Sequence, residues 1–180
     1  GTRPDASNLN FVQGQTVPNA VITPVSAQGK VCFYVYGKAH LIADVNGYFT
    51  AGLGFNALSP ARVLDTRQNI GGVGTTKIGD GAGNGTPLEF TMLGAGNVPA
   101  SGVGAVSLNV TVVSGEAPDA GGYVTVYPCG TRPDASNLNF VQGQTVPNAV
   151  IAPVSAQGKV CFYVYGKAHL IADVNGYFNQ

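Results

Sequence analysis

Residues 1–49 recur almost unchanged as residues 130–178, and this repeat constrains the fold more than any other feature of the chain. The segment from Gly1-Thr2-Arg3-Pro4 to Asn46-Gly47-Tyr48-Phe49 returns 129 residues later, from Gly130-Thr131-Arg132-Pro133 to Asn175-Gly176-Tyr177-Phe178. One position differs, Thr23 against Ala152. Periods of about 20–50 residues mark solenoids. A period of 129 residues is instead the size of a globular module able to bury its own core. The expected organisation is a tandem repeat of about 129 residues with one truncated copy. Residues 55–178 form a complete unit, 50–54 a linker, and 1–49 the back half of a truncated unit.

The chain then holds one front half (55–129) and two nearly identical back halves. Exchanging halves between identical chains cannot remove the surplus. The extra back half is expected to pack on the complete unit, pair with its like from another chain, or meet a front half that was cut away. Left alone it exposes strand edges and an apolar face, which is an association hazard.

The residue balance predicts β structure. Val outnumbers Leu by about two to one, and the chain has two Glu, one Met and no Trp. Strong helix formers are therefore scarce, while β-branched and aromatic residues are plentiful. Gly and Pro punctuate the chain about every ten residues, the spacing of short strands in a sandwich or barrel. Strands are predicted at Thr86 to Leu93, Ala105 to Val113, Tyr123 to Tyr127, Ser136 to Val141, Val146 to Val154, Lys159 to Tyr165 and Ala168 to Val174. In the second of these, Val106, Leu108, Val110 and Val112 face one way, and Ser107, Asn109 and Thr111 the other. Such alternation marks half-buried antiparallel strands. The expected fold is all-β, an antiparallel β-sandwich of jelly-roll-like type with about seven or eight strands per unit.

Charge narrows the function classes. The formal net charge is zero and 10% of residues are charged, against about 25% in an average soluble domain. This argues against a nucleic-acid partner recognised by charge. No apolar run approaches the roughly 20 residues of a membrane span, so no membrane insertion is expected.

Three cysteines are present: Cys32, Cys129 and Cys161. Cys32 and Cys161 are repeat counterparts. Cys129–Cys161 is the candidate disulfide, closing a loop of about 30 residues and stabilising by roughly 3 kcal/mol in the loop-entropy model. Three free, partly buried thiols are the alternative. No zinc-ligand spacing occurs.

Catalytic constellations are not evident, and neither an enzyme nor a cofactor is expected. The histidines, His40 and His169, are repeat counterparts inside a strand pattern and read as rim or turn-proximal residues. Asp173-Val174-Asn175-Gly176 begins like a calcium loop but lacks the closing acid, and reads as a turn with Asn-Gly supplying a positive φ. Gly79 to Gly85 reads as a loop. Arg62-Val63-Leu64-Asp65-Thr66-Arg67 is the densest charge cluster. There Asp65 pairs with Arg62 or Arg67 structurally, or Asp65 and Arg67 read a ligand. Tyr123, Tyr127, Tyr163 and Tyr165 fall on the polar-side parity of their strands. They form a platform for sugar rings, or cover a second sheet or an interface.

Four phrases together resemble a tandem domain of secreted bacterial surface proteins: Pro60 to Arg67, Ser107 to Val112, Ser136 to Phe140 and Ala172 to Phe178. The resemblance implies an extracellular location and no catalytic activity. The expected function is an extracellular structural protein, such as a surface-layer, stalk or filament subunit, forming a homo-oligomer or polymer through residues 1–49. A glycan-binding or adhesive module is the alternative.

Overall fold

The computed structural model describes residues 2–180 except 15, 16, 18, 44–47, 49–53, 82 and 120. Residues 50–53 of the linker predicted at 50–54, and the first Asp-Val-Asn-Gly phrase, lie outside the described residues.

The chain is all-β, in two antiparallel sheets of four strands each. The strands are β1 (Phe55–Asp65), β2 (Leu88–Thr91), β3 (Val103–Glu116), β4 (Gly122–Pro128), β5 (Leu138–Phe140), β6 (Val146–Pro153), β7 (Lys159–Tyr165) and β8 (Lys167–Asn179). The first sheet has the order β1-β8-β3-β6 and the second β2-β7-β4-β5. The arrangement is sandwich-like. Its core is supplied by one parity of each long strand: Val106, Leu108, Val110 and Val112 from β3, Leu170, Ala172 and Val174 from β8, and Val160, Phe162 and Val164 from β7. These are small or β-branched side chains for the most part, which suits the narrow space between two pleated surfaces.

β1 is absent from the predicted strands. Pro60 and the charged Arg62 to Arg67 phrase obscure its alternation, yet β1 pairs along β8 from Phe55↔Phe178 to Asp65↔Ile171. The phrase Asp173 to Gly176 is not a turn. It lies inside β8, held between β1 and β3 on both sides. Gly176 serves space instead of curvature: a Cβ there would sit 2.4 Å from Cζ of Phe55.

The two copies of the repeat have different fates. Among the described residues of 2–48 there is no strand. Phe33 is 66% exposed where its counterpart Phe162 is 0% exposed, and Leu41 is 56% exposed where Leu170 is 0%. Val21, Val31, Tyr34 and Ile42 are likewise exposed, while Val150, Val160, Tyr163 and Ile171 are buried. Local structure nevertheless repeats. The Ser26 N–H donates to the Lys30 carbonyl (3.0 Å), Gly29 N–H to the Ser26 carbonyl (2.9 Å) and Lys30 N–H to Ser26 Oγ (3.1 Å). The same three bonds recur at Ser155, Gly158 and Lys159, at 2.9, 2.8 and 3.1 Å. Arg3 lies 4.4 Å over the Tyr34 ring as Arg132 lies 4.1 Å over Tyr163. Turns need only their own residues, whereas a strand needs a neighbour to accept its ladder. The copy at 130–178 pairs its strands with β1–β4, and the described residues of the copy at 1–49 pair with no strand.

Candidate functional site

Two outer faces gather the polar and aromatic residues. On the first sheet, pairing register places Arg62, Asp173, Asn109 and Ala149 side by side across β1, β8, β3 and β6. Alternation predicts a solvent face for Ser107, Asn109 and Thr111. Instead all three are buried, together with Asp65, Asp173 and Asn175. Residues of the N-terminal copy supply part of the cover. Asn109 Nδ2 donates to the Ser7 carbonyl (2.8 Å), and Asn19 Nδ2 donates to Asn109 Oδ1 (3.0 Å). The Ala149 N–H donates to Asn19 Oδ1 (3.0 Å), and the Ser7 N–H reaches Asp173 Oδ2 at 3.4 Å. Asn19 also donates to the Asn8 carbonyl, as its counterpart Asn148 does to Asn137. The docked segment thus meets the sheet through amides and a carboxylate.

The predicted charge cluster is a relay of ion pairs. Arg67 grips Asp65 through Nε (3.0 Å) and Nη2 (2.7 Å), and its backbone N–H adds a third bond (2.9 Å). Arg62 reaches Asp65 at 3.7 Å and holds Asp173 at 2.9 and 3.2 Å. Burial raises the pKa of Asp65, but the hydrogen bonds and charge of Arg67 and the charge of Arg62 outweigh it. The carboxyl is held below the ordinary range. The same Asp65 hydrogen bond raises Arg67 against its burial. Arg62 and Arg67 also line a cleft together with Arg3, Asp5, Ser7 and Thr111. Thr111 Oγ1 has no hydrogen-bond partner among the described residues.

On the second sheet, Tyr123, Tyr127, Tyr163 and Tyr165 share the outer face, as their parity predicts. Register pairs Tyr123 with Tyr165 and Tyr127 with Cys161. Two of the four are withdrawn from solvent. Tyr163 lies under Arg132, and its hydroxyl donates to the Gly83 carbonyl (2.6 Å). Tyr127 and Tyr163 pack with Cys161, and burial pushes both phenols up. Tyr123 and Tyr165 remain half-buried and stacked, with centroids 5.2 Å apart and planes at 14°.

Cys129 and Cys161 are disulfide-bonded, with Cα atoms 4.9 Å apart, and Cys32 is an exposed free thiol. His169 lies in β8 with Nδ1 3.1 Å from Thr66 Oγ1, and His40 is exposed. Among the described residues no group of three or more His, Cys, Asp or Glu side chains could hold a metal, and no helix is long and apolar enough to cross a membrane. No family model, curated protein or solved structure matches the chain.

Proposed function

We propose that this chain is an extracellular, non-catalytic structural protein that associates with its own kind through residues 1–49, as a subunit of a surface layer, stalk or filament. One observation carries the reading. A sequence that buries Phe162 and Leu170 completely in one copy leaves Phe33 and Leu41 exposed in the other. Such a segment gains from meeting a partner. The occupant that fits it has the chemistry of β1–β4, the partner its twin already has. A neutral, charge-poor surface adds little repulsion between chains. The Cys129–Cys161 disulfide is compatible with an extracellular location. The strand order is that expected of a jelly roll, one way of limiting exposed sheet edges. Light scattering on a sizing column, with and without reductant, tests the proposal. Assemblies well above the 18.3 kDa chain mass in both conditions support it, and a monomer in both refutes it.

A second reading, glycan binding, is favoured by the stacked pair Tyr123 and Tyr165, which stay half-buried where Tyr127 and Tyr163 are buried. A glycan array comparing the full chain with Tyr165→Ala tests it. Absence of binding by the full chain removes that reading.

A further inference from the structure

The register of the first sheet carries a second arrangement of the same chain. β1 and β8 pair antiparallel, with Phe55 opposite Phe178. The counterpart of Phe178 is Phe49, separated from Phe55 by residues 50–54. About five residues suffice to join antiparallel neighbours in a hairpin. Residues 1–129 therefore hold, in permuted order, the counterparts of all eight strands. They share the front half, 55–129, with residues 55–178.

We propose that residues 1–49 compete with residues 130–178 for one place against β1–β4, within the chain or in a second copy of it, and that the single difference between the copies sets the preference. That difference falls where it counts. Ala152 is fully buried in the core, opposite Val106 on β3. Thr23 in its place would bring a hydroxyl and a larger branched side chain into an apolar layer. Burying such a group unpaired disfavours the N-terminal copy by about 5- to 150-fold. In the present arrangement Thr23 is exposed and carries no such cost.

Cys129 records the outcome. It bonds Cys161 when residues 130–178 fill the sandwich, and Cys32, the exposed counterpart, when residues 1–49 do. The competition needs no association between chains, so a monomeric protein would refute the assembly reading and leave this proposal standing. Exchange between two chains appears as a Cys129–Cys32 dimer on a non-reducing gel.

The test uses the full chain equilibrated in a glutathione redox buffer. Val12→Leu serves as a mass mark, at a position exposed in both copies (Val12 67%, Val141 61%). Cleavage before Asp separates residues 5–43, 119–133 and 134–172, which carry Cys32, Cys129 and Cys161 respectively. Adding Thr23→Ala, a surface change in this arrangement, is expected to raise the ratio of Cys32-linked to Cys161-linked Cys129 by about 5- to 150-fold. An unchanged ratio overturns the proposal. In Val12→Leu with Cys161→Ser, Cys129 is expected to close on Cys32. Two titratable thiols in that variant would overturn it as well.

Discussion

Truncating the same phenylalanine in each copy separates burial from competition. Phe162 is fully buried at the centre of the core, and its loss to Ala should cost about 3–5 kcal/mol where no alternative exists. The chain has an alternative. Once the arrangement built on residues 130–178 weakens by more than the gap between the two, the arrangement built on residues 1–49 takes over. Its handicap is the buried Thr23 hydroxyl, about 1–3 kcal/mol. Phe162→Ala is therefore expected to lose only about 1–3 kcal/mol. Phe33→Ala, at an exposed site, should stay within about 0.5 kcal/mol. The double variant should lose the full amount of about 3–5 kcal/mol, because neither copy then fills the core. The assay is guanidinium unfolding under reductant, so that Cys129 does not lock one arrangement. A full loss in Phe162→Ala with nothing further in the double variant would refute the competition. Equal losses in the two single variants would refute the two burial states themselves.

Three other outcomes follow from the geometry. Asp65 has a folded pKa held below the ordinary carboxylate value, so the unfolded chain binds the proton more tightly. Its contribution is present above about pH 4 and is lost as pH falls through the folded pKa. Denaturant melts at pH 7 and pH 3 should show this, and Asp65→Asn should shrink the difference. Gly122→Ala places a Cβ 2.4 Å from Cζ of Phe140 and should destabilise by about 1–3 kcal/mol in the same melts. Cys129→Ser removes the one disulfide and should cost about 3–4 kcal/mol in the loop-entropy model, read as the difference in midpoint under oxidising conditions.

What could be read from the sequence was what local chemistry decides. The parity of Val106 to Val112 placed one face of β3 in the core because alternate residues of a strand have no choice of side. The pairing of Cys129 with Cys161 followed from counting repeat counterparts. Features set by distant chain were not legible. Ser107, Asn109 and Thr111 show the parity of an outer face, and nothing in β3 itself reveals that Ser7 and Asn19 lie over it. Gly176 carries the mark of a turn, but the Phe55 ring from the far end of the unit needs that space. Tyr163 lies on the face its parity indicates and still leaves solvent, because Arg132 and the loop at Gly83 cross over it. Even the one-residue difference between copies gains meaning only from the depth at which Ala152 sits.

The turn at Ser26 to Lys30 keeps its three hydrogen bonds without any sheet around it. Its twin at Ser155 to Lys159 is the crossing from the first sheet to the second, between β6 and β7. The unpaired copy therefore reaches any front half already bent at the place where it must change layers. Part of the chain entropy of closing that bend has been lost beforehand, so pairing begins as the docking of a shaped ribbon and spends less time searching. The bend also counts residues. A slip of one position would turn Phe33 outward, and a turn anchored on Ser26 and Gly29 holds the strand against that slip.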